Sequence, residues 1–493
     1  MVEETFPTVK KDEYCHDHNE SPMAKSGIYE WTSISENEIL EFEDMSEEEE
    51  EESTRDYYFS DTSNSTSTST SNSYPKKERH QRRRIFKRRK EKAIKKALFE
   101  LRSNLEDALQ GDFLFGCAHL ALLNEEERKG LENLKDIALW GVPLLPSKRH
   151  EGTDVVLLKF LKAQGYKVND ALEMLRKTLI WRIKEKIDQI SDEKYGDDQD
   201  ELHKVVFIEG MDKLGHPVCF NVYGAFKDKN LFNKFFETEK NRRDFIRWRV
   251  QFMEKSIRKL DFREGGVHSF LLISDMKNVP GHAKKMKELG PVGKEAFNLF
   301  QQYYPELIYK HIIINTPFWY YLYHGILTQY CTHGTKNKFL LARPYHVTET
   351  LLKYISPGNI PLQYGGLGRP NDEEFTSEDQ VLEFNVRAGC VAAFKIPVPE
   401  GNVTILWEVM VVGWDVTYKD EFIPDDEGSY RILLSSEKKI TESVRNSFYI
   451  NEPGRILITI KNITYIKKKV FIRRKSKITL PVYMTTYDHH EQQ

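Results

Sequence analysis

The sequence predicts a multidomain chain: a disordered acidic N-terminal tail, a helical subdomain leading into an α/β domain, and an all-β sandwich at the C-terminal end. Three observations carry this reading. Charge is laid down in blocks rather than spread evenly. Apolar spacing is helical over residues 154–183, and strand-like and helical runs then alternate to about residue 341. From about 380 to 487, short strand-like runs separated by turn residues dominate. At 493 residues the chain is long enough for two or three domains, and 39% hydrophobic content can build real cores.

Residues 1–75 hold 20 Asp/Glu against 4 Lys/Arg, a net of −16. They include an acidic run at 47–52 and a tract of Ser, Thr and Asn at 60–73. Such composition cannot bury enough apolar area to offset chain entropy, so the segment reads as a disordered tail. Ser/Thr phosphorylation is its regulatory version. Cys15, His16, Asp17 and His18 lie inside it without a second ligand group at useful spacing, so no metal site is assigned.

Residues 76–102 carry 14 Lys/Arg and 3 Glu, a net of +11. Ile94, Leu98 and Leu101 recur at helical spacing among the cations. The segment, taken as 76–129, reads as a basic helix. It is either solvated, drawn to anionic lipid through residues such as Arg88 and Arg89, a nuclear-import signal, or a partner of the acidic tail.

The next region, 130–200, holds two amphipathic helices at 154–164 and 168–183, with Asn169 or Asp170 as N-cap of the second. Region 201–368 follows. Strands at 204–208 and 217–222 flank the turn 212–215 and form a hairpin. A long helix covers 238–259, short buried strands fall at 269–273, 312–314 and 339–341, and helices fill 291–304 and 318–332. Residues 369–379 read as a linker. In 380–487, about seven strands in roughly 100 residues mark a β-sandwich.

Five cysteines, Cys15, Cys117, Cys219, Cys331 and Cys390, lie far apart with no CxxC, which points to a reduced, cytosolic compartment. The N-terminus shows no apolar signal core. The greasiest stretch, 312–327, is broken by Asn315, Pro317 and His324, so membrane association is expected to be peripheral. GxSxG, P-loop, HExxH and strand-linked GxGxxG patterns do not occur, and the expectation is a non-enzyme.

The residues themselves say more. LLKFLKAQGYKVNDALEMLRKTLIWR, GHPVCFNVYG, SDMKN, QQYYPELIYKHIIINTPFWYY and YISPGNIPLQYGG resemble, in order, the CRAL-TRIO lipid-binding family. LWEVMVVGWDVTY and EPGRILITIKN resemble a GOLD domain. An acidic head, then CRAL-TRIO, then GOLD is the arrangement of the plant patellins, and WGVPLL, FMEKSIRKLDF and VVGWDV are similar to patellin sequences in particular.

The resemblance implies a sheet that floors a cavity holding one lipid, lifted from a membrane without covalent chemistry. It implies a gate helix at 317–332, presenting Phe318, Trp319, Tyr320, Leu322, Tyr323 and Leu327. It places a phosphoinositide headgroup on Glu306, Thr335 and Lys338, with no cofactor beyond the bound lipid. Three positions depart from the phosphatidylinositol binders: Leu307 stands where they carry a basic residue, and Phe270 and Leu272 where they carry small hydroxylated ones. A retinoid- or tocopherol-type ligand is the competitor. The sandwich is expected to recruit proteins or anionic membrane lipid. Lys467, Lys468, Lys469, Arg473 and Arg474, with Lys475 and Lys477, would line a positive sheet face, or else guard a solvated strand edge. The whole reads as a monomeric, cytoplasmic, peripheral membrane protein of trafficking and cell-plate formation, without nucleic-acid partners. The alternative is a GOLD-mediated membrane scaffold.

Overall fold

In the computed structural model of the chain the structure describes residues 76–110, 137–145, 149–194, 199–279, 284–318, 320, 338–413 and 415–478. Helix α1 (Lys76–Gln110) opens it. Its latter half is no solvated rod: Leu101 and Leu105 are fully buried, and Arg102 pairs with Asp154. The apolar 98, 101, 105 stripe docks onto the core that the following helices build. Arg88 and Arg89, earlier on the same helix, are exposed.

A two-residue ribbon, β1 (Ala138–Leu139) and β2 (Val142–Pro143), precedes α2 (Thr153–Ala163) and α3 (Val168–Lys184). Leu157, Phe160 and Leu161 of α2 meet Leu175 and Leu179 of α3, as the 3.6-residue spacing requires. Helix α3 begins one position before Asn169, with Lys167 as N-cap and no side-chain cap; Asp170 instead sits in the first turn, where the helix dipole favours an acid.

The α/β domain runs through α4 (Gln199–Val205), β3 (Val206–Met211), β4 (Pro217–Val222), α5 (Lys229–Phe236), α6 (Glu239–Ile257), β5 (Phe270–Asp275), α7 (Lys284–Tyr303), β6 (Ile308–Ile314), β7 (Phe339–Leu341) and α8 (Val347–Tyr354). The sheet order is β3-β4-β5-β6-β7. The β3–β4 pair is the expected antiparallel hairpin, and the other neighbours are parallel.

Among the described residues, eight strands rather than about seven make the sandwich: β8 (Val381–Val386), β9 (Val391–Val398), β10 (Val403–Val411), β11 (Val416–Pro424), β12 (Ile432–Ile440), β13 (Val444–Ile450), β14 (Gly454–Asn462) and β15 (Lys468–Ile478). They form two antiparallel sheets, β13-β10-β15-β8 and β12-β11-β14-β9. The strand unseen in sequence, β11, buries Val416, Tyr418, Asp420 and Phe422 by strict alternation. Asp420 is tolerated inside because Tyr418 Oη donates to it at 2.7 Å and Asn446 at 3.1 Å, while Trp407 Nε1 donates to Tyr418 Oη at 2.9 Å.

The C-terminal basic stretch is not a uniform cationic face. Arg473 is 2% exposed and Lys468 5%, so neither can meet a bilayer. Arg473 donates to Glu408 on β10, and Lys468 Nζ to the Gly413 carbonyl at 2.9 Å. Lys469 pairs with Glu383 at 2.5 Å and Lys475 with Asp379 at 3.1 Å. Lys467, Arg474 and Lys477 are exposed. Nor are residues 369–379 a free linker. Arg369 and Arg445 join Arg473 on Glu408, and Asp372 takes both Arg445, at 2.5 Å, and Arg473, at 3.3 Å. Beside this ionic cluster Leu367 packs on Met410, Val412 and Phe471, so the α/β domain and the sandwich share a small apolar seam.

Candidate functional site

The site is built on the YYPEL turn at 303–307. Tyr303 ends α7 and stacks on Trp181 of α3, centroids 4.2 Å apart. Tyr304 is buried, and its hydroxyl donates to Glu254 Oε1 at 2.6 Å. Glu254 also accepts from Arg182 Nη1 at 2.6 Å, and Arg182 Nη2 donates to Asp188 at 2.5 Å. Burial, then the Glu254 charge, hold the Tyr304 hydroxyl far above its ordinary pKa, so it stays a donor. Leu307 is 1% exposed on the other side of the turn. Fixed at both ends, the chain passes through Glu306 at φ +55°, a conformation unfavourable for a residue with a Cβ.

Three lysines converge on that residue. Lys338 Nζ donates to Glu306 Oε1 at 2.7 Å, and Lys162 Nζ lies 3.0 Å from Oε2. Lys159, one turn earlier on α2, is buried and donates to the Glu306 backbone carbonyl at 2.8 Å. Helical spacing places Lys159 and Lys162 on one face, and β6–β7 pairing brings in Lys338 through His311 N–H donating to its carbonyl at 2.7 Å. Burial, the largest influence, pulls the Lys159 pKa down to about 7; Glu306 opposes this, and Lys162 and Lys338 add to it. Burial alone would raise the Glu306 carboxyl, but Lys338 and Lys162 outweigh it and hold it below its usual value. One carboxylate paired with two amines, with a third amine on the adjoining main-chain carbonyl, leaves capacity for an anion, and a carboxylate able to accept from hydroxyls.

The structure thus brings Glu306 and Lys338 together. Thr335, Trp319, Leu322, Tyr323 and Leu327 lie outside the described residues. Phe318 is 75% exposed, and Tyr320 N–H donates to the Pro317 carbonyl at 3.0 Å. Leu307 and Phe270 are both buried in the core of the helical subdomain. Lys159 and Lys162 were missed in the sequence. Their signal was a lysine, Lys159, embedded among Leu157, Leu158, Phe160 and Leu161, on the face the helix buries.

The sheet beside this cluster has two unequal faces. On one, Val218, Phe220, Leu271, Ile273, Ile312 and Ile314 are buried with Leu351 of α8. On the other, period-two alternation places Leu272, His311, Phe339 and Leu341, which are half-buried, beside Phe270, Ser274 and Ile313, which are buried. This second face is apolar around Leu272, Phe339 and Leu341, and carries two polar pairs: Ser274 Oγ and His311 Nε2 at 2.8 Å, and Asn221, whose Oδ1 accepts from Arg249 Nη1 at 2.9 Å.

Comparison with known proteins now gives the family. Residues 100–177 match the model of the CRAL/TRIO N-terminal domain, 202–366 that of the CRAL/TRIO domain, and 387–469 that of the Patellin-1-like C-terminal GOLD domain. Patellin-3 of Arabidopsis thaliana is 40% identical over 78% of this chain and 81% of its own length; Patellin-6 is 36% identical over 79% and 96%. The chain belongs to the patellin family. Patellin-4 of the same plant is 44% identical over 72% of this chain, which spans 64% of that relative's length. Among relatives outside the patellins, the phosphatidylinositol transfer protein SFH5 of Scheffersomyces stipitis is 30% identical over 44% of this chain and 68% of its own. The crystal structure of Sfh5 aligns over 52% of this chain and 83% of its own at 21% identity, TM-score 0.40. The patellin architecture, CRAL-TRIO followed by GOLD, is therefore present. Among the described residues, no helix is long and apolar enough to cross a membrane.

Proposed function

We propose that this patellin is a peripheral lipid-binding protein that holds one phosphoinositide. Its acyl chains lie on the Leu272–Phe339–Leu341 floor, and its phosphate sits among Lys338, Lys162 and Lys159. The observation that carries the reading is the convergence of three lysines on Glu306, beside a partly covered apolar sheet face. Lysine ammonium groups neutralise phosphate, and Glu306 accepts from inositol hydroxyls. The SFH5 relative, by name a phosphatidylinositol transfer protein, supports the same class of ligand. Membrane trafficking and cell-plate formation are the setting we propose, with the GOLD sandwich supplying membrane or protein contacts. The roles proposed for the gate helix and for Thr335 rest on the family resemblance.

The test is transfer of labelled phosphatidylinositol between vesicles. Wild type should transfer it, and Lys338→Ala and Lys162→Ala should each reduce transfer roughly ten-fold, the loss of one charge-assisted contact. Equal transfer by both variants would refute the headgroup assignment. A second reading, a neutral hydrophobic ligand, is favoured by Leu272 on the floor, where a hydroxylated residue was expected. It predicts lipid loading indifferent to both lysines.

A further inference from the structure

One end of the GOLD sandwich carries a feature that neither the pocket nor the interdomain seam uses. The loop after β14 exposes Ile463 (52%), Tyr465 (100%) and Ile466 (63%), and Val391 at the start of β9 is 58% exposed. These side chains stand on a stiff base. Asn462 is fully buried, and its amide nitrogen donates to the carbonyls of Val386, Arg387 and Ile466 at 3.1, 3.0 and 2.8 Å. Its side-chain oxygen accepts from Thr464 N–H and Oγ1 at 3.0 and 2.7 Å, and its own N–H donates to the Cys390 carbonyl at 2.9 Å. Gly389 N–H closes the link to the Thr464 carbonyl at 3.2 Å. The loops at 386–391 and 462–467 are therefore one knitted unit whose apolar side chains project outward.

The charge around this tip has one sign. Arg387, Lys461 and Lys467 are exposed at its base, and residues 386–391 and 461–467 include no Asp or Glu. Asp415, on the adjoining loop that Lys468 reaches, is paired with Lys439 at 2.7 Å and adds no net charge. Apolar residues held outward cost hydration unless something covers them. Isoleucines and a tyrosine at the apex with cations behind match the layering of a bilayer surface. The apolar groups reach the acyl boundary, the phenol stays at headgroup depth, and the cations meet anionic phosphates.

We propose that the 463–466 loop, with Val391, inserts into the interface of an anionic membrane, and that Arg387, Lys461 and Lys467 supply its preference for negative lipid. This deepens the reading of the chain as one that works at a membrane. It puts the cationic contact at the loop end of the sandwich rather than along β15.

The experiment is co-sedimentation of the full chain with vesicles of phosphatidylcholine, alone or mixed with phosphatidylserine. Wild type should bind the mixed vesicles. The combined Ile463→Ser, Tyr465→Ser, Ile466→Ser variant should bind them at least about ten-fold more weakly. The combined Arg387→Gln, Lys461→Gln, Lys467→Gln variant should lose the preference for phosphatidylserine by a similar factor. Should the first variant not fold, Tyr465→Ser alone, at a fully exposed position, carries the test with a smaller loss. Either tip variant binding like wild type overturns the proposal. So does a wild type that ignores both kinds of vesicle, which would leave a protein as the occupant of the tip. Bound lipid is read separately by native mass spectrometry. A tip variant that keeps its lipid but leaves the vesicle supports the proposal, and loss of lipid with vesicle binding intact counts only against the pocket.

Discussion

Arg473 and Glu408 face each other as register partners on β15 and β10, with Arg473 Nε and Nη2 at 2.9 and 2.6 Å from Glu408 Oε2, both side chains nearly inaccessible to water. Arg473 Nη2 also donates to the Leu367 carbonyl at 2.8 Å, and its guanidinium lies over the Phe375 ring at 4.4 Å. The pair therefore fastens the end of the α/β domain to the sandwich. Arg473→Ala leaves a buried carboxylate short of one partner, and should cost about 3–5 kcal/mol in urea or thermal unfolding. Added salt should change the wild-type value little, because buried pairs are weakly screened.

The same cluster makes the chain acid-labile. The Arg445 hydrogen bond, above all, holds Asp372 well below the usual carboxylate range. Burial pushes Glu408 up, but Arg445, Arg369 and Arg473 together outweigh it and the net direction is down. A carboxyl with a depressed folded pKa contributes stability that is present above its unfolded value and lost as pH falls through the folded one. Unfolding free energy should therefore hold above about pH 4.5, the ordinary Glu value, and fall steadily below it. Arg445→Met should flatten that slope in a pH series of urea melts.

Lys159 gives headgroup binding its own pH dependence. With its pKa brought down to about 7, it is charged below that pH and loses charge above it. An anion placed beside it raises its pKa, so binding above pH 7 takes up a proton and weakens as pH rises. Affinity of the full chain for phosphatidylinositol 4-phosphate vesicles should fall between pH 6.5 and pH 8.5, by up to about ten-fold, the scale of a single charge-assisted contact. Lys159→Met should bind more weakly at the lower pH and show no such fall.

In the sandwich, Tyr418→Phe removes the hydroxyl that donates to buried Asp420 and accepts from Trp407. Loss of a buried donor of this kind costs about 1–3 kcal/mol, read as a lower urea midpoint with unchanged slope.

These residues also mark what could and could not be read from the chain. Strands at 217–222, 339–341 and 456–461 declare themselves by β-branched and aromatic runs between turn residues, and the structure has β4, β7 and β14 there. Strand β11 was hidden because VTYKDEFIP carries three consecutive charged residues, and its buried Asp420 is affordable only through Tyr418 and Asn446, a contact between strands. The lysine- and arginine-rich β15 misled in the same way. Charge in a strand reads as solvent, whereas Arg473 and Lys468 are buried by partners far away in sequence. Glu408, a lone acid within LWEVMVV, was the available hint of a buried counter-charge. At the candidate site, Glu306 and Lys338 came from the family resemblance, not from periodicity. Lys159 and Lys162 approach Glu306 across almost 150 positions, a proximity that local spacing cannot express.

Whether the chain holds one phosphoinositide at Lys338 is read by native mass spectrometry of the purified full chain. One bound lipid per chain with the mass of a phosphoinositide is expected, depleted in the Lys338→Ala variant while the fold is retained. A chain that carries no lipid, or one whose bound lipid is neutral and unchanged in Lys338→Ala, would contradict it.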